Sequence, residues 1–274
     1  MTDQEISEAA NRLPPIAAVL RRLLAVLQDP NSDVDDISKL IRVDAALTAQ
    51  VLRVANSPMY GRPERVETVE EAIQQIGLNE VSQLASSLSA RQVAGRELKY
   101  YRVSQTQLWT HTLAVAVGAE VMAARFLADS AVAYIAGLLH TVGMVTLDLA
   151  AEERKVPQRQ TSLSLLNWEQ RHFGENNAEV GGRVLKLWSF PADIVEAVAS
   201  RYTEPTAKTL FAPGSGMYLA SCIAEKIPAG LPFERGVFLP PNGLEELGLS
   251  NDEFADLKLE IAQKLSRMQA MMNL

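Results

Sequence analysis

The chain has 274 residues, of which 47% are hydrophobic and 22% are charged, and its formal net charge is −7. This balance is typical of a globular protein, and the negative charge argues against non-specific nucleic-acid binding, which needs a clustered basic face. The single cysteine excludes an intramolecular disulfide and fits a reducing compartment. The first eleven residues are polar and acidic, and no apolar run approaches the ~20 residues of a membrane span. We therefore expect a cytoplasmic protein outside the membrane.

Helical signals dominate the first hundred residues. Pro14 and Pro15 stand where a helix begins, and apolar residues follow at helical spacing as far as Leu27. The run from Thr68 to Glu71 is a capping box, and its helix ends at Gly77. The next predicted helix begins at Asn79, and its exposed face is expected to carry small polar residues that allow a neighbouring helix to approach: Ser82, Ser86, Ser87 and Ser89.

The segment Asn56-Ser57-Pro58-Met59-Tyr60-Gly61 breaks this helical pattern. Asparagine can end a helix and proline cannot continue one. One interpretation is structural, with the Asn56 and Ser57 side chains satisfying backbone groups at the turn. The other is that Asn56, Ser57, Tyr60 and Gly61 form an interaction surface beside the second half of the protein. The sequence leaves both open.

The remaining chain is also predicted to be helical. Ser104 starts a long alanine-rich helix that carries His111, and Asp129 caps an apolar helix that ends at His140, before an expected glycine turn. A final amphipathic helix runs to about Met272, and its apolar stripe is expected to pack within the chain, with a homodimer contact as the alternative. The sequence therefore predicts an all-α bundle of roughly 12–14 helices in two packed halves, residues 1–100 and residues 101–274, the second with a C-terminal helix extension.

Several motifs in this order resemble one known family. The stretch Gly137-Leu138-Leu139-His140-Thr141-Val142-Gly143 is similar to the Gly-Leu-Leu-His-Asp-Ile-Gly motif of the HD superfamily of metal-dependent phosphohydrolases. The N-terminal half more closely resembles the HDOD branch, a set of bacterial signalling domains. The matching stretches there are Leu13-Pro14-Pro15, Asp44 to Leu47, Val51 to Ser57, Tyr60-Gly61, Val69 to Ile73 and Ile76 to Leu78.

The resemblance implies a degenerate metal site. HD phosphohydrolases hold their metal with a first histidine, an adjacent His-Asp pair and a later aspartate. His111 and His140 match the two histidines, but Thr141 stands where the pair has its aspartate. Additional family histidines correspond to Asn177 and, less directly, to Thr203 and Glu204. A neutral hydroxyl holds a divalent ion poorly, so we expect no metal, no other cofactor and no catalytic residue, with His111, His140 and Thr141 as vestigial positions.

Two functions follow as hypotheses. The first is a non-catalytic bacterial signal-transduction module that binds other signalling proteins, and neither nucleic acid nor membrane. The alternative is a divalent-metal phosphohydrolase acting on a nucleotide or cyclic dinucleotide, in which Asp148 or Glu152 would replace the missing ligand. A third hypothesis, nucleotide binding without hydrolysis, ranks below both because the chain offers no glycine-rich phosphate loop.

Overall fold

The computed structural model describes residues 1–29, 31–60, 65–126, 128–160, 163–204, 213–226, 244 and 249–273. Its helices are α1 (Asp3–Asn11), α2 (Ala17–Gln28), α3 (Val34–Arg42), α4 (Ala45–Ala55), α5 (Val69–Ile76), α6 (Leu78–Ala94), α7 (Gln105–Arg125), α8 (Ser130–Leu139), α9 (Val142–Glu153), α10 (Leu165–Phe173), α11 (Asn177–Leu187), α12 (Ala192–Ala199), α13 (Pro213–Lys226) and α14 (Asn251–Asn273). Over these ranges the extended structure consists of one isolated bridge, between Leu98 and Val103. The all-α prediction and its number of helices are confirmed.

Local hydrogen bonds explain most helix boundaries. The capping boxes begun by Thr68, Ser104 and Ser250 are all present, each with a serine or threonine hydroxyl accepting from a backbone N–H three residues later. Gly174 has a φ of 75° and ends α10, because this left-handed conformation favours glycine. Helix α1 was not predicted, although Thr2 begins a capping box there as well.

The serine-rich face of α6 differs from its prediction in one respect. All four serines are buried, and the exposed face expected for them is wrong. Ser82, Ser87 and Ser89 donate their hydroxyl protons to the carbonyl four residues earlier, which removes the cost of burying a polar group. Their small size lets α6 pack against α2, α7, α8 and α9, so the predicted close packing is confirmed.

Helix α7 forms the centre of the bundle, in contact with α6, α8, α13 and α14. Its alanines and glycine allow backbones to approach closely: a Cβ on Gly118 would lie 3.1 Å from the Cβ of Ala220 in α13. One continuous set of buried apolar side chains runs from α1 to α14. The division at residue 100 stays a prediction, because the core continues across it.

Helix α14 packs within the chain, as expected. Its apolar stripe is buried against α6 and α7 and comprises Leu257, Ile261, Leu265, Met268, Met271 and Met272. Polar contacts also join it to residues of both predicted halves. Arg125 pairs with Glu253 at 2.9 Å, and the Tyr60 hydroxyl lies 3.0 Å from the Met271 sulfur. The stripe itself is therefore covered by the chain's own core.

The segment Ser130–Glu153 is long and apolar enough to cross a membrane by length and composition. The expectation that no apolar run approaches that length is therefore wrong for this segment. It forms two helices, α8 and α9, and 83% of its most apolar window is buried inside the protein. Helices in the core of a bundle pass the same test of length and composition.

We predict that Gly137→Ala destabilises the bundle. An added Cβ would lie 2.4 Å from the Ala116 Cα and 2.9 Å from the Ala116 nitrogen, so α7 and α8 would have to separate. Overpacking of this kind costs about 1–3 kcal/mol, which urea unfolding followed by circular dichroism would measure. The matched control is Gly216→Ala in α13, where an added Cβ meets no atom within 4 Å and the helix gains roughly 0.5–1 kcal/mol. Equal effects of the two substitutions would contradict the predicted contact.

Candidate functional site

Three helices bring the predicted vestigial residues together. His111 lies in the second turn of α7, His140 follows the last residue of α8, and Thr141 precedes α9. All three are buried, and the two imidazole rings have their centroids 5.1 Å apart at an interplanar angle of 68°. The structure thus places the two histidines and the threonine in one buried site.

The expected glycine turn after His140 is wrong, because α9 begins at Val142 and Gly143 lies in its first turn. Glycine is required there for another reason. A Cβ on Gly143 would lie 1.8 Å from the carbonyl oxygen of Asn177, the first residue of α11. The absence of a side chain therefore allows the start of α9 to contact the start of α11.

Hydrogen bonds assign the protons in this site. The Thr112 hydroxyl donates to the Leu108 carbonyl at 2.8 Å, so its 3.1 Å contact with Thr141 requires Thr141 to donate. The Nδ1 atom of His140 lies 2.6 Å from the Gly137 carbonyl oxygen and therefore carries a hydrogen. A neutral ring in this tautomer has its lone pair on Nε2.

The carboxylates that sequence analysis offered as replacement ligands are engaged elsewhere. Asp148 accepts a hydrogen bond of 2.8 Å from the Tyr100 backbone, and burial raises its pKa. Glu152 is exposed and lies 3.5 Å from Arg12. Across the described ranges, no group of three or more His, Cys, Asp or Glu side chains is arranged to hold a metal ion. Two imidazoles and a hydroxyl do not fit the donor set of a hydrolytic metal centre.

A second buried polar cluster was missed by sequence analysis. The Glu169 carboxylate accepts hydrogen bonds from the Tyr101 hydroxyl at 2.7 Å, the Asn177 backbone at 2.8 Å and the Asn177 amide at 2.9 Å. The Asn177 oxygen accepts in turn from the fully buried Arg201 guanidinium, which also donates to the Tyr202 hydroxyl. We name these five residues the Glu169 cluster. It adjoins the histidine pair through the contact between Asn177 and Gly143.

Of the positions that the resemblance matched to later family histidines, Asn177 lies in the Glu169 cluster. Thr203 and Glu204, which the resemblance matched to histidines, are both exposed. Arg201 and Tyr202 instead contact Asn177. The pairing of a tyrosine hydroxyl and a buried acid, 68 positions apart, leaves no periodic signal in a sequence. The sequence signal that could have indicated this pairing is an acidic residue, Glu169, on the buried face of α10.

The turn after α4 is closed by Asn56. Its side-chain amide donates to the carbonyls of Leu52 and Val66, each at 2.8 Å, and its oxygen accepts from the Val66 backbone at 2.9 Å. Ser57 is buried, and Tyr60 contacts α14. Gly61 lies outside the described residues.

The comparisons with known proteins identify the chain. The family model described as "HDOD domain" matches residues 13–204, well over half of the sequence. The chain belongs to the HDOD family. An uncharacterized protein of Treponema pallidum (strain Nichols) is 26% identical to it over 223 residues, which are 76% of this chain and 41% of the relative. The chain thus spans about two fifths of the length of this curated relative.

Solved structures share the HDOD fold. An HDOD domain protein with unknown function from Geobacter sulfurreducens is 22% identical, with a TM-score of 0.69 and coverage of 99% of this chain and 96% of the other. A candidate signal transduction protein from Marinobacter aquaeolei VT8 is 20% identical, with a TM-score of 0.70 and coverage of 99% and 65%. A candidate phosphohydrolase from Shewanella amazonensis SB2B is 21% identical, with a TM-score of 0.62 and coverage of 98% of each chain. At these identities the likeness establishes the fold alone.

We predict that Glu169 makes the stability of the protein depend on pH. Burial raises the pKa of Glu169 from 4.5 to about 7, although Tyr101, Asn177 and Arg201 act in the opposite direction. The folded state then binds more protons than the unfolded state between these values, so stability falls as pH rises from about 4.5 to 7 and is constant above. The loss is on the order of 3 kcal/mol.

Glu169→Gln removes this titration, and urea unfolding at several pH values from 5 to 8 would measure the difference from the unsubstituted protein. Exposed Glu97 supplies the control substitution Glu97→Gln, which changes the same charge and should leave the pH profile unaltered. Parallel profiles for the Glu169 variant and the unsubstituted protein would contradict the raised pKa.

Proposed function

We propose that this chain is a non-catalytic signal-transduction module of the HDOD family that acts by binding other signalling proteins. The observation that carries the proposal is the hydroxyl–hydroxyl contact between Thr141 and Thr112 at the position of the metal-binding aspartate. A hydroxyl that donates its proton to a neighbouring side chain supplies neither the charge nor the fixed lone pair of a carboxylate.

The charge balance of the site supports the same proposal. A divalent ion activates water only while ligands hold it, and anionic ligands offset its charge in a buried site. The side chains that follow His111 and His140 in the chain, Thr112 and Thr141, carry neutral hydroxyls. The buried carboxylate of Glu169 already accepts hydrogen bonds from Tyr101 and Asn177. A cation at the histidine pair would therefore be buried without compensation.

The proposed partners are separate proteins in the cytoplasm. The single cysteine agrees with this placement. The proposal includes neither nucleic acid nor membrane as a partner, and the net charge of −7 argues against nucleic acid. The hydrogen bonds of Asn56 support a structural role for that residue. A partner at this turn would contact Pro58 and Met59, which follow Asn56 and are exposed.

A second candidate function is the divalent-metal phosphohydrolase, and one observation favours it. Metal-binding histidines commonly donate one ring N–H to a carbonyl or carboxylate and bind the metal with the other nitrogen. His140 has this arrangement, with Nδ1 on the Gly137 carbonyl oxygen. A Shewanella protein with a similar fold is named as a candidate phosphohydrolase. The missing carboxylate places this function second.

We predict that Thr141→Asp confers divalent-metal binding that the unsubstituted protein lacks. The substitution supplies an anionic ligand next to His140 and opposite His111, which gives three donors on converging helices. Calorimetric titration with manganese and iron(II), with metal analysis of protein purified without chelators, would measure the gain. Thr141→Asn is the matched control, because it has the same shape without the charge and should remain metal-free.

The unsubstituted protein decides between the two candidate functions. We expect neither stoichiometric metal nor hydrolysis of cyclic dinucleotides or a chromogenic phosphodiester in the presence of manganese. Tight binding of one metal ion per chain, together with metal-dependent turnover, would overturn the non-catalytic proposal. Loss of that turnover in His111→Ala would then assign it to this site.

A further inference from the structure

A partly enclosed cavity lies where the two predicted halves meet, between α2, α6, α7 and α8. It encloses about 110 Å³, well above the roughly 10–15 Å³ that a cavity needs by this measure to hold one water. Its polar lining includes Ser82, Gln83 and Ser86 from α6, Glu120 from α7 and Tyr134 from α8. None of these residues belongs to the histidine pair or to the Glu169 cluster.

The hydrogen bonds around the cavity leave acceptors on its wall. Ser82 donates to the Leu78 carbonyl at 2.7 Å, so its oxygen can only accept from a ligand. Ser87 donates to the Gln83 carbonyl at 2.7 Å, and the 2.7 Å contact between Tyr134 and Ser87 therefore has Tyr134 as its donor. Burial raises the pKa of Tyr134, so the hydroxyl stays protonated. The Tyr134 oxygen, like that of Ser82, keeps a lone pair for a ligand.

Two further groups face the cavity with capacity unused. Ser86 is 1% exposed, and its hydroxyl has no hydrogen-bond partner in the part of the chain that the structure describes. The Glu120 Oε1 atom accepts a hydrogen bond from the Gln83 amide at 2.7 Å and lies 3.6 Å from the Lys264 ammonium, and Oε2 accepts no hydrogen bond from the described residues. The long ammonium distance leaves the Glu120 charge only partly balanced.

We propose that this cavity binds a small primary ammonium compound. The ammonium group would donate to Glu120 Oε2 and to the oxygens of Ser82 and Tyr134, and the Ser86 hydroxyl would bond a polar group on the ligand's short chain. The Glu120 carboxylate and the Ser82 and Tyr134 oxygens on the wall act as acceptors, so a cationic donor complements them. The volume has room for a few non-hydrogen atoms. This site goes beyond the proposed function and does not depend on it.

A primary ammonium group has two sources, a free small amine and the lysine side chain of a partner protein. Ethanolamine represents the first and Nα-acetyl-lysinamide represents the second. Ethylene glycol, which has the shape of ethanolamine without the charge, is the negative probe. Calorimetric titration of the full chain with each compound measures binding and separates the two sources.

Substitutions place the binding in the cavity. Glu120→Gln keeps the shape of the side chain and removes its charge, and we expect binding to weaken about 10- to 100-fold. Ser86→Ala removes one hydroxyl and should weaken binding roughly 2- to 10-fold, while Ser86→Leu fills the cavity and should abolish it. Glu97→Gln removes an exposed charge outside the cavity and should leave binding unchanged. Circular dichroism and urea unfolding check that each variant is folded.

Saturable binding of ethanolamine or of the lysine compound, weakened by Glu120→Gln and Ser86→Ala but not by Glu97→Gln, supports the site. Absence of binding by either ammonium compound to the folded chain overturns the proposal. Binding that persists unchanged in the folded Glu120→Gln and Ser86→Leu variants overturns it as well. Equal binding of ethylene glycol and ethanolamine would exclude recognition of the ammonium charge.

Discussion

The structure depends on the close approach of helix backbones at glycine. Gly137 lets α8 lie against the Ala116 backbone of α7, and Gly143 lets α9 begin beside the Asn177 carbonyl of α11. These two contacts fix His140 and Thr141 between α7 and α11. They also place the His140 ring beside the His111 ring. Protein interiors are close-packed, so a single methyl group at either glycine has no space to enter. The geometry around the histidine pair is therefore set in part by close backbone contact.

Burial imposes a second constraint, because polar groups away from water must find partners within the chain. Thr141 meets it by donating to Thr112, which itself donates to a carbonyl. The Glu169 cluster meets it with a buried acid and a buried guanidinium joined through Asn177. Arg201 lowers the pKa of Glu169 while burial raises it more. The region beside the histidine pair thus carries its own internal charge compensation.

The sequence predicted what local signals encode. Capping boxes such as the one at Ser104 predicted helix starts, and the family motif predicted that His111, His140 and Thr141 would meet. It did not predict contacts that depend on distant positions, such as Tyr101 with Glu169. The α6 serines show the same limit, because small polar residues read as an exposed face until the hydroxyls are seen bonded to their own helix. Gly143 was read as a turn because its true constraint comes from α11.

The cavity and the histidine pair share one element, α8. Tyr134 lines the cavity and His140, six residues later, follows the last residue of the same helix, about 9 Å further along at 1.5 Å per residue. Helix α8 packs against the Ala116 backbone through Gly137, midway between the two, so it has little freedom to bend there. A displacement of α8 at the cavity therefore moves the histidine end with it. The position of α8 thus links the wall of the cavity to the place of the His140 ring.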